Sequence, residues 1–304
     1  MNFRIRHSLV LTALLSLSGF AIAQTPAPEP SSNKVDEKIT ITGTRTTGER
    51  FQLMRDFVTN VGRLASPEFG LARLEHGACI RVQGTSSAVA DFLVKRLVVT
   101  AQQVGLATQK PGCKPNIDIV FSDNGKNVAA ELVQKSPRVF KPFGNSEGTT
   151  KGDHALSEFV NSSQPVRWWQ ITVPVDRNGM PVVESANPEE PAYVVSSNSL
   201  ISTGTREGLL GSLIIVDTGK LGMASWDQLA DYLSFIALAE VDPKANVGSV
   251  DSILNLFGGS NTPAPGLSAW DKAYLHGLYS MNLYLRPRVQ RAELAGRIEQ
   301  ELEK

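Results

Sequence analysis

The sequence lacks an excess of charge of either sign: its 304 residues carry 30 basic and 30 acidic side chains, so the formal net charge is zero. A neutral chain has no positive field for nucleic acid and no acidic tail. Only two cysteines and four histidines are present; no CxxC pair occurs, and no histidine stands at metal-ligand spacing. After the N-terminal segment, no apolar run approaches the roughly 20 residues of a membrane span.

The signature motifs of common catalytic sites are also missing. No Gly-x-Ser-x-Gly nucleophile elbow occurs. Gly204-Thr-Arg-Glu-Gly208 lacks the Lys-Ser/Thr pair of a phosphate-binding loop and opens no helix. Asp227 and Asp231 lie close to the start of a predicted helix, where the helix dipole favours acidic residues without any catalytic role. The sequence therefore identifies no catalytic residue and no cofactor.

The N-terminal segment has the features of an export signal. Arg4 and Arg6 precede the apolar stretch Leu9–Phe20, and the small-x-small motif that ends at Ala23 predicts cleavage before Gln24. We therefore expect a signal peptide over 1–23, with an uncleaved anchor as the alternative, and a periplasmic or secreted protein. A Pro/Ser-rich stretch over 24–38 is typical of a disordered leader. Residues 39–304 are expected to form a single globular domain.

The pair of cysteines belongs to the clearest local pattern. A short strand over 78–82, a helix that ends at Gly105 and a second strand over 117–121 predict a right-handed crossover with parallel strands. Cys79 and Cys113 then lie at the same end of adjacent strands. In an exported protein they are expected to form a disulfide, and the alternative of two reactive or metal-binding thiols has no supporting neighbours. The predicted fold class is α/β or α+β, with helices on a mixed sheet that contains this βαβ unit.

Apolar spacing predicts the remaining elements. Polar composition over 143–165 predicts a surface loop. The other predicted helices cover 49–64, 125–140, 226–240, 268–279 and 288–302, and the other predicted strands cover 167–173, 192–195 and 211–216.

The order of motifs in the C-terminal half is similar to that of metzincin-type zinc peptidases. The strand over 211–216 and the helix over 226–240 are followed by Ser252-Ile-Leu-Asn255, and then by a helix that starts Leu-Ser-x-x-Asp and ends in Leu-Tyr. In metzincins an edge strand, a zinc-binding helix, a Ser-Ile-Met-Asn turn and a closing helix follow in this order. A domain of unknown function in exported proteobacterial proteins has the same order. The resemblance covers about 190–280 and implies a βαβ-containing half over 39–190 and a zincin-like helical layer over 191–304.

The resemblance also implies that the zinc site is lost. On the metzincin pattern HExxHxxGxx(H/D), Tyr232 and Ile236 occupy the positions of two histidine ligands, and Leu233 occupies that of the general base. Only Asp242 could still bind a metal, and one carboxylate does not hold zinc. The protein is expected to have this scaffold without a metal.

A binding surface is the remaining functional prediction. Trp168 and Trp169 are neighbours in a predicted strand, so one is expected to be in the core and the other exposed. His276 is expected to be partly buried in its helix, and Trp226 and Trp270 are expected to pack in the core. We therefore expect a non-catalytic protein of the cell envelope that binds an envelope protein or a peptide. The alternative is a metal-independent hydrolase that uses His276, Tyr232 and Asp242.

Overall fold

The computed structural model describes residues 47–62, 70–140, 152–182, 199–200, 202–258 and 263–304. The predicted signal peptide, the predicted leader and the strand predicted at 192–195 lie outside these residues. Residues 45–304 belong to one compact unit. None of the helices in these ranges has the length and apolarity that crossing a membrane requires.

A five-stranded mixed sheet forms the centre of the fold. Its strands are β1 (Arg73–Leu74), β2 (Ile80–Gln83), β3 (Ile117–Ser122), β4 (Val166–Val175) and β5 (Arg206–Asp217). One side of β5 pairs in parallel with β3 and, near its start, with the short β1, and β3 pairs in parallel with β2. The other side of β5 pairs with β4, which is antiparallel and forms an edge of the sheet. The predicted βαβ unit is β2, a helix and β3, and the α/β fold class is confirmed.

Helices cover both faces of this sheet. They are α1 (Thr47–Val61), α2 (Ser87–Gln103), α3 (Gly125–Lys135), α4 (Pro137–Phe140), α5 (Gly152–Asn161), α6 (Trp226–Leu238), α7 (Ala269–Ser280) and α8 (Pro287–Leu302). The larger apolar core joins one face of the sheet to α1, α2, α6, α7 and α8. A smaller core joins the other face to α3, α4 and α5. The central strand β5 serves both cores, because Ile214 belongs to the larger core and Ile215 to the smaller.

The predicted disulfide is confirmed. Cys79 lies just before β2 and Cys113 lies in the loop before β3, with their Cα atoms 6.1 Å apart. The Asn116 side chain also accepts a hydrogen bond from the Cys79 N–H at 2.8 Å. The bridge therefore fixes the start of two adjacent parallel strands.

Two of the predicted element boundaries are wrong. The segment predicted as a loop over 143–165 contains α5, whose Ala155, Leu156, Phe159 and Val160 pack against the smaller core. These apolar residues recur at helical spacing over a run that is too short to be recognised in a polar segment. The helix predicted over 125–140 is broken into α3 and α4 at Ser136, because a residue before proline avoids the helical conformation.

Candidate functional site

Three of the positions predicted to be degenerate in the zinc site, Tyr232, Leu233 and Ile236, lie inside the apolar core. Leu233 and Ile236 on α6 are fully buried, and Tyr232 is almost so. The Tyr232 ring makes edge contacts with Trp168 and Phe257, at centroid distances of 6.3 and 5.1 Å. Burial raises the pKa of the Tyr232 hydroxyl well above its usual range, so it stays neutral. Aromatic packing therefore fills this region.

Asp242 lies beyond the end of α6 and forms hydrogen bonds with backbone groups. Its Oδ1 accepts a hydrogen bond from the Lys244 N–H at 2.9 Å, and its own N–H donates to the Val61 carbonyl. The part of the chain that the structure describes contains no group of three or more His, Cys, Asp or Glu side chains that could hold a metal ion.

The motif residues of the C-terminal half form one hydrogen-bonded unit. Asp271, fully buried near the start of α7, accepts hydrogen bonds from the Ser252 hydroxyl at 2.6 Å, from the Ile253 N–H at 2.8 Å and from the Ser268 N–H at 2.9 Å. Burial raises the pKa of Asp271, and these hydrogen bonds act in the opposite direction. The spacing between the Ser-Ile-x-Asn and Leu-Ser-x-x-Asp motifs thus has a structural explanation.

The other two motif residues hold neighbouring backbone in place. The Asn255 side chain donates to the Val250 carbonyl at 2.9 Å. The Tyr279 hydroxyl donates to the Leu238 carbonyl at the end of α6 and accepts from the Leu74 N–H of β1. These contacts fix the loop and helix ends around α6 and require no ligand.

A cavity of about 730 Å³ lies beside the edge strand β4. Residues of α5 and of the turn after α6 line it together with the first half of β4. Its lining includes Glu158, Phe159, Arg167, Trp168, Asp242 and Lys244. Lys244 and Glu158 form an exposed ion pair that joins the turn to α5. The volume is within the usual range of small-molecule and peptide pockets.

The outer edge of β4 presents main-chain groups to this region. The Pro165 carbonyl accepts a hydrogen bond from the Asp217 N–H at 2.8 Å. The groups of an antiparallel strand alternate in direction, so those of Val166, Trp168 and Gln170 point away from β5. No residue in the described ranges pairs with these groups. The cavity therefore adjoins a strand edge that has no main-chain partner among the described residues, and residues 166–170 of this strand are at most 6% exposed.

The prediction of one exposed tryptophan on this strand is wrong. Trp168 is 6% exposed and donates from Nε1 to the Val241 carbonyl at 3.0 Å. Trp169 is 5% exposed and packs in the smaller core between the rings of Phe140 and Phe159. Both side chains are covered because helices pack on both faces of the sheet.

Gln170 joins β4 to the end of α6. Its Nε2 donates to the carbonyls of Ile236 and Ala239 at 2.6 and 2.7 Å, and its Oε1 accepts from the Val241 N–H at 3.0 Å. This side chain satisfies otherwise open carbonyls at the helix end. The signal in the sequence was a polar residue within an apolar strand. Such a residue needs hydrogen-bond partners once both faces of the sheet are buried.

Arg167 is the second polar residue of β4 that sequence reasoning missed. It is 2% exposed, and its Nη1 donates to the Val160 carbonyl at 2.8 Å, near the end of α5. Its Nε and Nη2 are buried and make no hydrogen bond. Burial lowers the pKa of Arg167, and the nearby Asp217 carboxylate acts in the opposite direction.

The predicted hydrolase residues do not meet at one site. His276 is exposed on α7, with Nδ1 4.0 Å from Glu301 Oε2, so its predicted partial burial is wrong. Tyr232 belongs to the core, and of the three only Asp242 lines the cavity.

Two further predictions about α6 and α7 are corrected or completed. Trp226 is 46% exposed at the start of α6 rather than in the core, whereas Trp270 packs edge-on against Phe57. Asp231, which the sequence places near the start of α6, is 4% exposed. Its carboxylate accepts hydrogen bonds from Arg96 Nε at 2.7 Å and Nη2 at 3.1 Å.

Glu207 and Glu240 are two acidic side chains whose charges interact. The pKa of Glu207 on β5 is raised to about 7. The larger cause is burial, and the second is the charge of Glu240. Glu240 is itself 4% exposed, and its Oε1 lies 3.5 Å from the Thr172 hydroxyl. Glu207 therefore titrates near neutral pH.

Comparison with known proteins adds no relative to this description. No protein family, no curated protein sequence and no solved structure matches the chain.

Proposed function

We propose that this chain is an exported, non-catalytic protein of the cell envelope that binds an extended peptide segment in the groove beside β4. The observation that carries the proposal is the open edge of β4 next to a 730 Å³ cavity. An extended chain adds to such an edge by main-chain hydrogen bonds, and neighbouring pockets select its side chains.

Two further observations support this function. The disulfide is compatible with an oxidising compartment outside the cytoplasm. On the metzincin resemblance, Tyr232 and Ile236 stand at the two histidine positions and Leu233 at that of the general base, so Asp242 alone would remain as a zinc ligand. A metzincin-like scaffold that retains its groove and not its metal would bind a peptide without cleaving it.

The test begins with binder selection. Two phage libraries of random dodecapeptides are panned against residues 24–304. In one library the peptides have free carboxyl termini, and in the other they are fused to the phage through their carboxyl termini. Selected peptides are synthesised and N-methylated at alternate residues. Strand pairing uses the N–H groups of every second residue. N-methylation of one alternating set of residues should therefore weaken binding at least tenfold, and N-methylation of the other set should not. Equal effects of both sets, or no binder from either library, would refute the proposal.

A matched pair of variants tests the protein side. Thr172 is the next residue of β4 whose N–H points away from β5, and beyond it the Pro174 carbonyl on the same edge already accepts a hydrogen bond from the Val182 N–H at 2.8 Å. Thr172→Pro should weaken binding because it removes an outward N–H and leaves the pairing with β5 intact. Thr172→Ala removes the same side chain and keeps the N–H, so it should bind as the unmodified protein does.

A further inference from the structure

An ion pair joins the two walls of the cavity beside β4. One wall is α5, which packs on the smaller core, and the other is the turn after α6, which follows Val241 of the larger core. Glu158 belongs to the first wall and Lys244 to the second, and their side chains form a salt bridge. The pair therefore connects structure on the two faces of the sheet, and the edge strand β4 lies between the two walls.

The walls cover the edge of β4 that the proposed function uses. Residues 166–170 line the cavity and are nevertheless at most 6% exposed. The N–H groups of Val166, Trp168 and Gln170 point away from β5, and no main-chain group of the described residues pairs with them. Covering by the walls, rather than strand pairing, therefore keeps these groups from water. A peptide reaches them only when the walls separate.

The two walls are attached to β4 with different strength. The turn after α6 is tied to the strand by the Trp168 Nε1 bond to the Val241 carbonyl and by the Gln170 Oε1 bond to the Val241 N–H. Of the ten residues of α5, all of which the structure describes, Phe159 alone is buried. Segments with few buried apolar contacts open more easily than the rest of a protein. We therefore assign the movement to α5.

We propose that the ion pair between Lys244 and Glu158 is a latch that keeps the groove beside β4 closed and limits the entry of the peptide. This inference rests on the proposed function and adds how access to the same groove is controlled. Both side chains are exposed, so the pair is weak and opens at little cost. An exposed pair shifts the balance between closed and open groove by up to about fivefold. The apparent affinity for a peptide changes by the same factor, because only the open groove binds it.

The first test needs no peptide. Lys244→Glu places two carboxylates opposite each other, and the hydrogen exchange of individual amides is followed by NMR. The outward amides of Trp168 and Gln170 should exchange about two- to fivefold faster in this variant. The Trp169 amide, which points toward β5, should keep its rate. The double variant Glu158→Lys/Lys244→Glu restores the pair with its charges exchanged, so it should restore the original rates.

Lys135→Glu is the matched control, because Lys135 forms an exposed pair with Glu131 within α3, outside the cavity lining. It should leave the exchange of both outward amides unchanged. Lys244→Ala serves if the glutamate variant does not fold. Outward amides that are already unprotected in the unmodified protein, or that exchange no faster once the pair is broken, overturn the inference whether or not a peptide binds.

The second test uses a selected dodecapeptide without charged side chains, so that residue 244 has no charged side chain of the peptide to attract or repel. By fluorescence anisotropy, Lys244→Glu should bind this peptide about two- to fivefold more tightly than the unmodified protein does. The double variant should bind it as the unmodified protein does.

The outcomes separate this inference from the proposed function. A peptide that binds Lys244→Glu and the unmodified protein equally overturns the latch while the proposed function stands. Failure to recover any binder from either library would remove the proposed function and the entry of a peptide with it. The exchange rates would then still decide whether the ion pair covers the edge of β4.

Discussion

Glu207 allows a quantitative prediction about stability. Its pKa is about 7 in the folded protein against an ordinary value of 4.5, first because it is buried and next because Glu240 lies nearby. Between pH 4.5 and 7 the folded protein therefore holds a proton that the unfolded chain releases. The stability that this group contributes is complete below pH 4.5 and is lost as the pH rises through 7.

The size of the effect follows from the two pKa values. At 1.36 kcal/mol for each pH unit, the interval from 4.5 to 7 corresponds to about 3 kcal/mol of unfolding free energy. Glu207→Gln imitates the protonated side chain at every pH. We therefore expect the variant to match the unmodified protein near pH 4.5 and to exceed its stability at pH 8 by up to about 3 kcal/mol.

Urea unfolding followed by tryptophan fluorescence at several pH values between 4.5 and 8.5 measures this difference. Glu131→Gln, on the exposed side of α3, is the matched control, because that carboxylate pairs with Lys135 in solvent. The control should not gain stability with rising pH. The reasoning is refuted if Glu207→Gln differs from the unmodified protein by the same amount at pH 5 and pH 8.

Three further perturbations test the contacts described above. Asp271→Ala leaves two buried donors and one part-buried donor without an acceptor, so it should lower the free energy of unfolding by about 3 to 5 kcal/mol in urea titrations, and a loss below about 1 kcal/mol would contradict the role assigned to it. Replacement of both Cys79 and Cys113 by alanine should cost about 2 to 4 kcal/mol in the same assay, and an unchanged midpoint would show that the bridge adds nothing. Lys244→Ala removes an exposed ion pair, so thermal unfolding should show a loss of less than about 1 kcal/mol; a larger loss would mean that the pair holds α5 in place.

The parts of the fold that the sequence predicts correctly depend on local patterns. The β2–α2–β3 unit follows from the alternation of short apolar runs with a helical face, and the disulfide follows from the ends of those strands. Capping boxes begin α6 at Ser225 and α7 at Ser268, and such a motif is also local, because it requires only a residue three positions further along the chain.

The parts that were missed depend on contacts between distant segments. Trp168 and Trp169 are both buried only because α3, α4 and α5 cover the second face of the sheet. Asp231 is a buried residue only because Arg96, which is 135 positions away, reaches it. A charged residue in an amphipathic pattern is ordinarily assigned to solvent, and the sequence alone gives no sign of such a partner.

Arg96, which is partly exposed, and Arg167, which is buried, differ in how their donors are paired. Arg96 fills its Nε and Nη2 edge with Asp231, which also accepts from the Leu267 N–H, so this pair holds α2, α6 and the start of α7 together. Arg167 is buried, and its Nε and Nη2 make no hydrogen bond. A buried charge without a partner opposes folding. The unpaired Nε and Nη2 of Arg167 therefore do not stabilise the fold as the paired Nε and Nη2 of Arg96 do.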